Sequence, residues 1–150
     1  MSSLRIGFIG AGRMASALAG GIVRAELAAA ADVVAADPSA DARSRLEADV
    51  PVRTAADNRE VLKSADVVFI AVKPQHVAAA LQPIRDAWEA RHLIVSIAAG
   101  VTLETLVELA GGAPRYVRVM PNTPCLIGQG ASGYCLGPGA DATDGAQANA

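Results

Sequence analysis

Three small residues near the start of the chain have a spacing that chemistry can use. Gly10, Gly12 and Ala15 follow the apolar run Leu4–Ile9, and a helical apolar pattern opens at Ala15. The arrangement is G-x-G-x-x-A. Gly10 lets the chain turn sharply out of a strand, Gly12 lets a ligand approach the backbone, and Ala15 lets the helix lie close on the strand. A helix that begins there presents unpaired N–H groups and a partial positive charge, which is the chemistry of holding a pyrophosphate. Asp37 closes the next strand-like run, at the separation of about 20 residues expected of a carboxylate that binds a ribose. Strand before, helix after and acid downstream together predict a dinucleotide site.

The elements that must position these residues alternate along the chain. Strands are expected over Leu4–Ile9, Val33–Ala36, Val50–Arg53, Val67–Val72, Leu93–Ile97 and Tyr116–Met120, with one more over Ala131–Leu136. Val67–Val72 is almost unbroken in its apolarity, as befits a strand buried on both faces of a parallel sheet. Ala15, Leu18, Ala19, Ile22 and Val23 share one helical face. Gly20 and Gly21 lie inside that helix at a cost of about 1 kcal/mol each against Ala, which implies close packing on the sheet. Ala40–Ala48 reads as a short helix, and Asp57-Asn58-Arg59-Glu60 as a capping box with Asp in place of Ser or Thr. Val77, Ala80, Leu81, Ile84 and Trp88 mark another helical face, which Pro83 should kink or restart. Thr102 is placed to cap a helix that Gly111-Gly112 stops.

Such alternation predicts an α/β fold, a doubly wound (Rossmann) and mostly parallel sheet in the order 3-2-1-4-5-6, with right-handed crossovers and an extra strand near the C-terminus. Its ligand should lie across the carboxyl ends of the strands, where strands 1 and 4 part. Three segments then line the cleft: Ala71-Val72-Lys73-Pro74, Ser96-Ile97-Ala98-Ala99-Gly100 and Met120-Pro121-Asn122-Thr123-Pro124. All are small or proline-rich, which suits close approach to a nicotinamide and its ribose. Lys73 is placed to donate to a ribose hydroxyl or a carboxylate, and equally to be a solvated lysine at a helix start. Asn122 and Thr123 can hydrogen-bond a carboxamide or substrate, or simply organise a turn between two prolines.

The chain has 150 residues, 52% apolar and 19% charged, enough for one domain with its own core. A net charge of −2 and 3% aromatic residues give no footing for nucleic acid or an anionic membrane. No apolar stretch nears the roughly 18 residues of a membrane span, and charges and glycines interrupt the first residues, which lack the long apolar core expected of a secretory signal. Cys125 and Cys135 are expected as free thiols, and a packing role suits Cys125 better than nucleophilic chemistry. His76 and His92 lack metal-ligand spacing. His76 is expected to be exposed on a helix, and His92 to sit at the solvent end of a strand. A cytoplasmic domain is expected.

Four blocks in order carry a resemblance: residues 6–15, Asp66-Val-Val-Phe-Ile-Ala-Val-Lys-Pro74, Val95-Ser-Ile-Ala-Ala-Gly-Val-Thr102, and Arg118-Val-Met-Pro-Asn-Thr-Pro124 with Gly130-Ala131. The chain resembles the N-terminal half of pyrroline-5-carboxylate reductases over essentially residues 4–148. The first block is common among dehydrogenases, and the Val-Lys-Pro and Met-Pro-Asn-Thr-Pro blocks are far more specific. The 3-hydroxyacid and prephenate dehydrogenases, which place other residues after strands 4 and 5, are the alternative, along with a non-catalytic dinucleotide-binding module.

The resemblance implies NADPH or NADH as cofactor and 1-pyrroline-5-carboxylate as substrate, reduced to L-proline. It places cofactor contacts at Ile9, Gly10, Ala11, Gly12, Arg13, Met14, Asp37, Asn58, Ala71, Val72, Lys73, Pro74, Ile97, Ala98 and Ala99. Lys73, Asn122 and Thr123 are positioning candidates, and Met120–Pro124 forms one wall near the nicotinamide. Asp37 departs from the neutral residue often found in NADPH-preferring relatives. A carboxylate there bonds a free 2′-hydroxyl and repels a 2′-phosphate, with Arg13, Ser39 and Arg43 as possible counterweights. The expected domain covers 1–137, with 138–150 a tail that starts a helix. The family's C-terminal helical domain, which makes the homo-oligomer and most of the substrate pocket, has no counterpart here. The chain is therefore expected to bind dinucleotide yet to reduce the imine poorly by itself.

Overall fold

A computed structural model describes residues 4–121, 132–137 and 139–140. Seven strands form one sheet in the order β3-β2-β1-β4-β5-β6-β7. The first six are parallel: β1 (Ile6–Ile9), β2 (Val33–Ala36), β3 (Arg53–Ala55), β4 (Val67–Ile70), β5 (Leu93–Ser96) and β6 (Arg115–Pro121). The extra strand, β7 (Ser132–Leu136), runs antiparallel to β6, with Val117 opposite Leu136. The order of the first six is the one read from the alternation of elements.

Helices cover both faces. α1 (Arg13–Arg24) and α2 (Ala40–Asp49) bury Ala15, Ala19 and Leu46 against a cluster holding Phe8, Val33, Leu93 and Val117. α3 (Asn58–Ser64), α4 (Val77–Leu81) and α5 (Leu103–Ala110) cover the other face, where Val61, Leu81 and Leu106 meet Ile9, Ile70, Ile94 and Tyr116. Phe8 and Phe69 stack across neighbouring strands, with centroids 5.0 Å apart. Strands buried on both faces explain why their sequences read as apolar runs rather than as alternations.

Local signals account for most element ends. Thr102 caps α5 by accepting from the Thr105 amide, and Gly111 ends it at φ 87°. α4 stops at Leu81, and a 3₁₀ stretch over Gln82–Ala87 carries Pro83, as a proline in that position requires. Asp57 caps α3 by accepting from the Arg59 amide, but the capping box is not reciprocal. Glu60 turns outward to pair with Lys63 at 3.3 Å.

Three expectations are corrected. The third strand is Arg53–Ala55, not Val50–Arg53, because Val50 still closes α2 through its amide on the Leu46 carbonyl and pairing with β2 selects the later residues. Close packing on the sheet belongs to neither Gly20 nor Gly21. A Cβ on Gly20 would meet Arg24 and Val50, and one on Gly21 would meet nothing within 4 Å. The tight glycine is Gly7 in β1, where a Cβ would stand 2.3 Å from Val61 Cγ1 and 2.9 Å from Ala65 Cβ. His92 is not at a solvent end: it is wholly buried.

Candidate functional site

The turn after β1 is held by its neighbours. The Gly10 amide donates to the Ala36 carbonyl at 2.8 Å, and the Ala71 amide to the Ile9 carbonyl at 2.8 Å. Gly10 takes φ 106°, and a Cβ there would stand 2.9 Å from the Ala71 carbonyl carbon, so both conformation and space demand glycine. Gly12 is its opposite. It is the exposed N-cap of α1, and a Cβ on it would meet nothing within 4 Å. No side chain caps α1 and no acid lies in its first turn, so its positive end faces open space. This is a cradle that an anion fits.

Asp37 reaches that turn. Its Oδ2 accepts from the Ala11 amide at 3.0 Å and its Oδ1 from the Ser39 amide at 2.9 Å. Arg43 in α2 donates to the Asp37 carbonyl at 2.6 Å. On the neighbouring strand, Asp57 and Asn58 open α3. The Asn58 amide nitrogen donates to the Ala80 carbonyl at 3.4 Å, linking α3 to α4. Lys73 is exposed at the head of the 3₁₀ turn Pro74–His76, where its carbonyl accepts from the His76 amide at 2.8 Å, and its side chain makes no hydrogen bond or ion pair with the described residues.

These segments enclose a cleft of about 610 Å³ at the carboxyl ends of β1, β2, β3 and β4. Of the residues expected from the sequence, it gathers Gly10, Gly12, Asp37, Asn58, Ala71, Val72 and Lys73. Arg13 and Ala11 lie instead on a smaller hollow of about 230 Å³ between α1 and α2, which Gly12 shares. Ile9 and Ala98 are buried. Met14, Pro74, Ile97 and Ala99 line neither hollow. Asn122, Thr123 and Cys125 lie outside the described residues. The sequence reading missed the far wall, where His76, Ala79, Ala80, Pro83 and Ile84 of the α4 region face the glycine turn. Its one signal was the run of small residues Ala78–Ala80 directly after the Lys73-Pro74 corner.

Charge at the amino-terminal edge of the sheet serves the scaffold. Asp66 accepts from Arg5 Nε at 2.9 Å and from Arg91 at 2.8 Å, which joins the starts of β1, β4 and β5. Burial alone would raise the Asp66 carboxyl, but the hydrogen bonds from Arg5 and Arg91 outweigh it and hold it below its usual range. His92 accepts from the Glu89 amide through Nδ1 at 2.9 Å and meets the Leu62 carbonyl through Nε2 at 2.8 Å. An N–H donor on one side and a carbonyl on the other assign the neutral ring with its proton on Nε2. Burial lowers its pKa, and the Leu62 hydrogen bond opposes that shift. Trp88 packs edge-on against the ring, with centroids 5.4 Å apart. No group of three His, Cys, Asp or Glu among the described residues is placed to hold a metal, and none of their helices is long and apolar enough to cross a membrane.

Known proteins share this arrangement. A family model described as "NADP oxidoreductase coenzyme F420-dependent" matches residues 5–100. A pyrroline-5-carboxylate reductase of Pseudomonas aeruginosa is 44% identical over 133 residues, which is 89% of this chain and 48% of that protein. A solved pyrroline-5-carboxylate reductase from Coxiella burnetii superposes with a TM-score of 0.90 at 31% identity, over 98% of this chain and 54% of that one. A Plasmodium falciparum pyrroline carboxylate reductase with NADP bound gives a TM-score of 0.83 at 32% identity, over 97% of this chain and 53% of that one. The chain thus spans about half the length of the curated relatives it matches.

Proposed function

This chain belongs to the family described as NADP oxidoreductase coenzyme F420-dependent, and on that premise we propose that it is the dinucleotide-binding half of a pyrroline-5-carboxylate reductase. The reaction is reduction of 1-pyrroline-5-carboxylate to L-proline at the expense of NADH or NADPH. One observation carries the reading: the uncapped α1 N-terminus and the open backbone at Gly12 meet a ribose-binding carboxylate, Asp37, in one cleft. The reductases named above support the choice of substrate.

When bound, the reduced nicotinamide supplies a hydride to the C=N carbon while the imine electron pair settles on the protonated nitrogen. A protonated cyclic imine is already electrophilic, so positioning is what the chain must contribute. The amides at the start of α1 face the negative pyrophosphate, and Gly12 lets it come close. Asp37 accepts from the adenosine ribose. The Lys73 side chain, free of other partners among the described residues, donates to a ribose hydroxyl or to the substrate carboxylate. Asn58 holds α4 against the cleft.

The proposal takes residues 1–137 as the dinucleotide-binding domain and 138–150 as the segment leading out of it. A second, helical half, of the kind the resemblance implies, completes the substrate pocket and the homo-oligomer. A cytoplasmic location goes with this reading.

Fluorescence titration of the chain with both reduced nucleotides tests the binding step, and micromolar binding is expected. A chimera carrying this chain before the second half of the Pseudomonas relative tests the chemistry, with proline as the product. Failure of both nucleotides to bind overturns the reading. Nucleotide binding without proline from a folded chimera confines it to a binding module.

A further inference from the structure

The cleft has a corner where β2 and β3 end side by side. The Asp37 amide donates to the Ala55 carbonyl at 3.1 Å, and Ala36 pairs with Ala55, so Asp37 lies one residue past the last β2 pair and Asp57 two residues past its β3 partner. Both carboxylates border the cleft, together with Pro38 and Asn58. By the position of Asp37, this corner receives the adenosine ribose.

The cations that could neutralise the corner are turned to other tasks. Arg43 donates to the Asp37 main-chain carbonyl. Arg59, two residues past Asp57, donates to the Pro83 carbonyl at 2.6 Å and to Asp86 at 2.9 Å. Lys73 and His76 stand on the β4–α4 side of the cleft. Among the described residues the two acids accept hydrogen bonds only from backbone N–H groups: Ala11 and Ser39 for Asp37, Arg59 for Asp57. Those bonds fix the carboxylates in place without adding a positive charge, and Arg59 is held first by its hydrogen bond to Asp86, with Asp57 acting on it only through space as the smallest of its influences.

We propose that Asp57 is a second specificity determinant: with Asp37 it makes the ribose corner doubly negative, so that the cleft takes the 2′-hydroxyl dinucleotide, NADH, in preference to its 2′-phosphorylated form. The inference rests on the dinucleotide reading above and goes beyond it, since a family described by NADP would suggest the reverse. A 2′-phosphate brings between one and two negative charges. Placed roughly 4–6 Å from a partly solvated carboxylate, it is disfavoured by about tenfold in affinity for each acid. Asp57 also caps α3, so Asp57→Asn is the clean substitution: asparagine caps as well as aspartate does and removes only the charge.

The test is calorimetric titration of the 150-residue chain and its variants with NADH, NADPH, 5′-AMP and 2′-phospho-5′-AMP at low and high salt. Tighter binding of NADH and 5′-AMP is expected in the unsubstituted chain, with a gap that narrows at high salt because the repulsion is screened. Asp57→Asn is expected to raise NADPH affinity about tenfold with NADH changed less than about twofold, and adding Asp37→Asn to close the gap. NADPH binding as tightly as NADH overturns the inference, as does an Asp57→Asn chain with unchanged NADPH affinity and unchanged thermal stability. Arg43→Ala supplies a further check. Loss of NADPH affinity alone would show that Arg43 swings to the phosphate and would also overturn it. Failure to bind all four ligands would instead sink the dinucleotide reading.

Discussion

The Asp37 carboxylate accepts a hydrogen bond from the Ala11 amide at 3.0 Å, which ties the end of β2 to the glycine turn after β1. The acid expected to hold the ribose is therefore also a strut for the turn proposed to receive the pyrophosphate. Its second oxygen, on the Ser39 amide, fixes the carboxylate's orientation before any ligand arrives.

Replacing Asp37 by Ala removes both supports. Hydrogen bonds to a charged acceptor contribute about 1.5–3 kcal/mol; in this partly exposed setting a stability loss near 1 kcal/mol is expected from urea denaturation. NADH affinity should fall about tenfold or more, as the ribose contact and the pre-formed turn go together. An unchanged dissociation constant would remove Asp37 from the site.

Gly12 and Gly7 separate function from fold. Gly12→Ala puts a methyl group into open space, so stability should change by less than about 1 kcal/mol while dinucleotide affinity falls more than tenfold. Gly7→Ala drives a Cβ into Val61 and Ala65, and overpacking of that kind costs about 1–3 kcal/mol. Denaturation curves and titrations of the two variants should show opposite patterns.

His92 predicts acid sensitivity. Its folded pKa lies below the ordinary value, so its contribution to stability is complete above about pH 6.5 and is lost as pH falls toward the folded value. Protonation would turn Nδ1 from an acceptor into a donor facing the Glu89 amide. Thermal unfolding followed from pH 7.5 to 5 should show a falling midpoint, and His92→Gln should flatten that slope. An equally steep slope in the variant would clear His92 of the effect.

Asp66 acts in a lower window. Held below its usual range by Arg5 and Arg91, it stabilises the fold above about pH 4, and that contribution fades as acid protonates it. Being about a third exposed, it is screened, and Asp66→Asn should cost no more than about 1 kcal/mol at neutral pH. The cost should shrink as pH falls below about 4, and shrink in high salt.

Much of the fold was legible because its signals are local. The apolar runs of β1, β2, β4 and β5, the cap at Thr102, the stop at Gly111 and the break at Pro83 each act within a few residues of themselves. Strand ends ran one or two residues long at Leu4, Val72 and Ile97, where apolar side chains continue beyond the residues of the ladder itself. The far wall of the cleft was not legible. Ala79, Ala80 and Pro83 bear no chemical mark, and only the packing of the α4 region against α3 brings them beside Asn58 on the cleft that Asp37 borders.

From the sequence alone came the alternation of strands and helices, the glycine turn, the acid that answers it and the order of the parallel sheet. All of these follow from side-chain size, backbone freedom and periodicity along the chain. Tertiary structure decided what depends on partners distant in sequence: that β3 begins at Arg53, where β2 offers its hydrogen bonds, and that His92 is sealed between Leu62 and Trp88. It also set Asp57 beside Asp37. The reason is common to all three: a hydrogen bond or a burial is specified by the group on the other side, and pairing across the sheet determines which group that is.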